Sequence, residues 1–238
     1  MVKDQIHDIA RQATPQVEVE VVPGSYRWNV IDALPASGNI GIELGVAAGS
    51  FSRRMVDSGK FRTFFGVDAY SDGHDVRQYK TALKTVGILA EYRLFRMRFD
   101  EALDLFDDGF FDFIYVDGYA HTGEEGGRTL LDWYAKLKPG GIMAGDDYDA
   151  RRWPLVVWAA HDLVHQLGLR LRVTERVEDA NYNRFPSWFF TKPLDGATVE
   201  LVQNPQLIRL GEAEDEQRQA LAKAARALRR RVKDSPAP

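Results

Sequence analysis

Apolar and polar positions along this chain predict a layered α/β domain. Near-continuous apolar runs fall at about 39–45, 62–68, 92–98, 110–117 and 140–145. Helix-compatible stretches lie between them, at about 50–58, 75–86, 100–106 and 124–137. Strands that are apolar on both faces and separated by helices predict a mostly parallel sheet covered on both sides. The clearest central strand is Phe110-Phe111-Asp112-Phe113-Ile114-Tyr115-Val116-Asp117. Lys138-Pro139-Gly140-Gly141 is expected to end a helix and turn into the fifth strand. Proline cannot continue a helix and glycine suits its stop.

The pattern changes after residue 150. Trp153 to Leu167 reads as an apolar-rich helix. Leu169–Glu175 and Ser187–Lys192 read as two strands that close the sheet with an antiparallel pair. Residues 1–35 read as an extension, a short helix followed by an irregular segment with Val17-Glu18-Val19-Glu20-Val21 and Pro23-Gly24. The main domain is then 36–195. Residues 196–238 form a second extension with a charged helix at about 212–233, acidic first and then basic, as the helix dipole favours.

Composition narrows the function. The chain has 238 residues, room for one decorated domain. A formal charge of −4 gives no general surface for nucleic acid. The absence of cysteine excludes disulfides, thiolate metal sites and a cysteine nucleophile. The first residues carry no apolar signal core, and no stretch reaches 18 uninterrupted apolar residues. The expectation is a cytoplasmic protein without a membrane or nucleic-acid partner, with terminal extensions able to join copies of the chain.

Candidate chemistry begins at Ile40-Gly41-Ile42-Glu43-Leu44-Gly45-Val46-Ala47-Ala48-Gly49-Ser50. An apolar strand ends in an acid, a glycine turn follows, and then a helix starts. Glycine there lets a ligand approach the backbone. A second apolar run ends in Asp68, 19 positions after Gly49, where open α/β nucleotide sites carry a ribose-binding carboxylate. These motifs resemble those of class I S-adenosylmethionine-dependent methyltransferases. The resemblance implies a Rossmann-like, mostly parallel seven-stranded sheet. It also implies a cofactor held by Glu43, Gly45, Gly49, Ser50, Asp68, Ala69, Tyr70, Phe99 and Asp117.

A second constellation follows the fourth and fifth strands: Asp117-Gly118-Tyr119-Ala120-His121 and Gly145-Asp146-Asp147-Tyr148. Parallel strand ends open onto one crevice, so three acids are expected to converge. Crowded carboxylates call for a cation or a shared proton, and oxygen ligands favour Mg²⁺ or Ca²⁺ over zinc, with Mg²⁺ the expected ion. The stretch 111–148 resembles the metal-dependent O-methyltransferases similar to macrocin O-methyltransferase, through its Asp-Gly, Leu-Lys-Pro-Gly-Gly and Gly-Asp-Asp-Tyr motifs. That resemblance implies metal ligands Asp117, Asp146 and Asp147, base His121, and methyl transfer to a hydroxyl of a sugar or natural product. His121 follows Asp117 by four residues where the family has three, so Asp147 and Asp149 stand as alternative bases. Metal-independent transfer to an amine or carboxyl group, and a non-catalytic binding protein of the same fold, are the competing functions.

Other residues carry weaker signals. His161 and His165 are expected to flank a packed helix, since no third zinc ligand is suitably spaced. Tyr70 fits adenine stacking or the core, His74 a lid, and Trp153 a substrate face or a core anchor. Arg229-Arg230-Arg231 reads as a solvated helix face.

Overall fold

The computed structural model describes residues 3–71, 75–117, 126–178, 184–195 and 199–234. The described strands are β1 (Val19–Val22), β2 (Asn39–Leu44), β3 (Phe61–Val67), β4 (Tyr92–Phe95), β5 (Phe111–Val116), β6 (Leu137–Gly145), β7 (Leu171–Thr174) and β8 (Trp188–Thr191). They make one sheet in the order β1-β7-β8-β6-β5-β2-β3-β4. Every pairing is parallel except those of β8, which runs antiparallel to β6 and β7. Helices α1 (Lys3–Ala13), α2 (Ser50–Asp57), α3 (Val76–Val86), α4 (Phe99–Ala102), α5 (Arg128–Lys136), α6 (Pro154–Leu167) and α7 (Pro205–Asp234) cover it.

The mostly parallel sheet with an antiparallel closing strand is the expected fold, with eight strands in place of seven. The extra strand is β1, paired in parallel with β7 from Val19↔Leu171 to Val22↔Thr174. It is short, exposed and stopped by Pro23-Gly24, so its apolar pattern is weak. Arg170, just ahead of β7, holds the edge through Glu18 at 2.8 Å and Glu20 at 3.4 Å. The amino-terminal segment is thus part of the sheet. Its helix α1 buries Ile6 and Ala10 in the same core as Leu207 and Leu210 of α7.

Strand alternation separates two cores. Ile40, Ile42 and Leu44 of β2, with Ile114 and Val116 of β5, face α1, α5, α6 and α7. Phe113 and Tyr115 face α2 and the 27–34 segment. Lys138-Pro139-Gly140-Gly141 does not precede the fifth parallel strand but lies inside β6, because α5 already ends at Lys136. Gly140 adopts φ 78°, and its amide donates to the carbonyl of Lys192 at 2.9 Å. The helix expected at 212–233 begins earlier, at Pro205, where the Asn204 side chain accepts from the amides of Gln206 and Leu207.

Successive connections run outward in opposite directions from β2 and β5. The carboxyl ends of those two neighbours therefore flank a crevice, the usual ligand position in such sheets.

Candidate functional site

The glycine loop after β2 is built by local backbone chemistry. Gly45 adopts φ 99° and donates its amide to Val67 at 2.8 Å. Ala47 follows at φ 47°, and Gly49 opens α2 at φ 81°. A side chain at Gly49 would stand 2.9 Å from a methyl of Val86 and 3.2 Å from Cα of Ala82. Asp68, at the end of β3, accepts the amides of Val46 at 3.1 Å and Ala47 at 2.9 Å on one oxygen. The other oxygen accepts the amide of Tyr70 at 2.9 Å. The buried Tyr70 ring packs on Tyr79, and its hydroxyl donates to the carbonyl of Ala47 at 3.0 Å. Tyr70 thus holds the loop from behind. Asp68 shapes the same loop, and a carboxylate retains lone pairs for further donors.

Glu43 points to the α2 side of the sheet and is buried. It accepts the Ser52 hydroxyl, which in turn accepts the Tyr92 hydroxyl at 3.0 Å. Gly66 lacks the Cβ that would collide with that tyrosine oxygen. Burial holds the Glu43 carboxyl well above the usual carboxylate range, against the Ser52 hydrogen bond. Ser50 is the exposed first residue of α2, Ala69 follows Asp68, and Phe99 opens α4 packed against the larger core.

The acids on the other side of the crevice are organised by side chains. Asp117 and Asp146 follow β5 and β6 and meet at Arg27, from a short 3-10 turn at Arg27–Ile31. One guanidinium nitrogen contacts Asp117, and another lies 2.9 Å from Asp146. The guanidinium also sits 5.1 Å from the Phe51 ring centre and 5.3 Å from that of Tyr115. The second oxygen of Asp146 accepts the Ser187 hydroxyl at 3.1 Å, and Ser187 is 3.0 Å from the Tyr115 hydroxyl. Asp147 adopts φ 58°. Burial, reinforced by Asp146 and Asp117, pushes its carboxyl up to about 8. Burial also pushes Asp117 up to about 7, against the pull of Arg27.

This arrangement does not fit the expected Mg²⁺ site. Among the described residues no three acidic or imidazole groups come together to hold an ion, and a guanidinium bridges two of the three expected ligands. Of the bases, His121 lies outside the described residues, as does His74. Asp149 is committed elsewhere. It accepts the amides of Arg151 at 2.8 Å and Arg152 at 2.9 Å and pairs with Arg176. Burial opposes its charge, but these donors hold its carboxyl below the usual range. His161 bonds Pro15 and Tyr148 instead of a metal. Its Nδ1 is 2.8 Å from the Pro15 carbonyl and its Nε2 is 2.7 Å from the Tyr148 hydroxyl. A carbonyl only accepts, so Nδ1 carries the proton and Nε2 takes the hydroxyl. Trp153 precedes α6 and donates its amide to the Asp149 carbonyl at 2.7 Å.

Arg27, Trp28, Glu43, Ala47, Phe51 and Asp117 line a cavity of about 480 Å³, a size suited to a small ligand. Arg27 and Trp28 lie in a segment with no periodic pattern, and sequence reasoning passed over both. Trp28 stacks on Tyr26 at 5.4 Å and carries the Arg54 guanidinium at 4.1 Å.

Residues 39–148 match the sequence model of a family described as a methyltransferase domain. No curated protein matches the chain. Among solved structures, precorrin 8w decarboxylase from Methanobacterium thermoautotrophicum is 18% identical over 72% of this chain and 92% of its own, with a TM-score of 0.50. A spermidine synthase bound to a transition-state analogue is 14% identical over 77% of this chain and 62% of its own, with a TM-score of 0.52. An S-adenosylmethionine-dependent methyltransferase from Mesorhizobium loti is 22% identical over 52% of this chain and 54% of its own, with a TM-score of 0.40. The chain spans about half the length of the first solved structures it matches, 50% and 54%. Over residues 39–148, the region that carries the glycine loop and the acids, the chain is thus similar to a methyltransferase domain, and the solved structures share its fold.

Proposed function

We propose that this protein transfers a methyl group from S-adenosylmethionine to a hydroxyl of a small molecule. One observation carries the reading. The glycine loop, with Asp68 beneath it, and two acids whose carboxyls are raised by burial, Glu43 and Asp117, lie on adjacent strand ends around one cavity. The cofactor supplies an electrophilic methyl on its sulfonium. The Val46–Gly49 backbone and Asp68 suit its polar groups, and the missing Cβ at Gly49 keeps the loop close to α3. The chain's contribution is alignment, which by itself lowers a transfer barrier by several kcal/mol.

Asp147 is the base on this reading. Burial and the neighbouring acids raise its carboxyl to about 8, so the fraction that is ionised near neutral pH is a stronger base than a free carboxylate. The family of O-methyltransferases similar to macrocin O-methyltransferase remains the reading for the acceptor class, sugars and natural products, without its metal step. A second reading is transfer to an amine. It is favoured by Asp117 and Asp146 sharing the guanidinium of Arg27, two carboxylates on one fixed cation, which leaves negative charge for a cationic acceptor.

The test is turnover of methyl-labelled S-adenosylmethionine against a panel of hydroxyl and amine acceptors, with and without chelator. Labelled ether products, unchanged by chelator and reduced in Asp147→Asn by roughly 10²–10⁴, are expected. Labelled amines would select the second reading, and no transfer to any acceptor would count against both.

A further inference from the structure

We infer that Arg27 is the resident cation of the crevice, a positioning residue that holds the place between Asp117 and Asp146 where a divalent ion was expected. The geometry is that of a built site. Two nitrogens of one planar fork engage two different carboxylates, the arrangement in which arginine surpasses a point charge. The rings of Phe51 and Tyr115 lie 5.1 and 5.3 Å from the guanidinium and strip water from it. Asp146 is turned toward Arg27 because Ser187 holds its other oxygen, and the Ser187 amide is fixed at 2.9 Å by the Thr174 hydroxyl. The Arg27 backbone is set in turn by Asn29, whose side chain accepts the Tyr26 amide at 2.8 Å.

Mg²⁺ needs near-octahedral oxygens at about 2.0–2.1 Å. A guanidinium shared by the two acids denies it that cage. The positive charge that orients the acids is therefore covalently part of the chain and arrives with the segment between β1 and β2. The inference rests on the methyl-transfer reading only for the use of the site.

Electron paramagnetic resonance of Mn²⁺, titrated into the full chain, tests it on wild type, Arg27→Gln, Arg27→Lys and the double variant Arg27→Gln/Asp146→Asn. Wild type and Arg27→Lys are expected to leave the free Mn²⁺ signal undiminished. Arg27→Gln is expected to bind one Mn²⁺ at least roughly 10-fold more tightly, and the double variant to lose that site again, since one of two ligand carboxylates is gone. A Mn²⁺ site in wild type, or an Arg27→Gln variant indistinguishable from it, overturns the inference. Should Arg27→Gln fail to fold in a thermal melt, exclusion of Mn²⁺ from both wild type and Arg27→Lys sustains it, and binding to either overturns it. Calorimetry of S-adenosylhomocysteine on the same samples keeps the two claims apart. A wild type that excludes Mn²⁺ but binds no S-adenosylhomocysteine would defeat the methyl-transfer reading and leave the role of Arg27 standing.

Discussion

The turns after β2 and after β6 face the same crevice and share an unusual feature. Each carries a non-glycine residue in the left-handed region, Ala47 at φ 47° and Asp147 at φ 58°. Such strain costs about 1–3 kcal/mol and persists only where the surroundings enforce it. They enforce it differently. Around Ala47 the restraint is close in sequence, with Asp68 and Tyr70 bonding the loop backbone from about twenty residues away. Beside Asp147 the restraint falls on its neighbour Asp146, held by Arg27 and Ser187 in segments farther away along the chain. The first turn is a backbone cradle held by a carboxylate. The second is a charge cluster held by one distant arginine.

Removing Asp68 should break the cradle most severely. Asp68→Ala deletes the acceptor of three amides, each worth about 1.5–3 kcal/mol to a charged group. Affinity for S-adenosylhomocysteine is expected to fall by roughly 10- to 100-fold or more, read by calorimetry. An unchanged affinity would mean that the loop keeps its shape without the acid and that Asp68 takes no part in binding.

Gly49→Ala sharpens the comparison at smaller cost. It places a Cβ at φ 81° and within 2.9 Å of Val86. The expected loss is on the order of 1–3 kcal/mol, or roughly 2–10 °C in Tm for a chain of this size. A thermal melt unchanged from wild type would show that α3 yields and that the glycine is not required.

The charge cluster should reveal itself through pH. An unfolded aspartate titrates near about 3.9, whereas burial raises Asp147 to about 8. The fold favours its protonated form. That contribution is fully present below about pH 4 and is lost as pH rises through about 8. Asp147→Asn keeps the neutral shape at every pH, so its Tm is expected to fall less steeply than that of wild type between about pH 4 and 8. Equal slopes would mean that Asp147 ionises freely and is a poor base at the site.

The order of strands and helices in the main domain was legible because strands buried on both faces write near-continuous apolar runs into the chain. Glu43, Gly49 and Asp68 were legible for a related reason. Each sits at a strand end or helix start, where local geometry restricts the residue type. β1 escaped notice because four residues, three of them exposed, carry little apolar signal, and its pairing with β7 is decided about 150 residues downstream.

What the sequence determined by itself, then, is the parallel sheet, the glycine loop and the three acids at two strand ends, all consequences of short-range periodicity and backbone conformation. Only the tertiary structure decided what those acids do. Nothing near Asp117 or Asp146 in the chain announces Arg27, which lies 90 residues before the first of them. Three acids read in isolation call for a metal. In the folded chain two of them close on a guanidinium, because desolvated charges take the nearest opposite charge that the packing supplies.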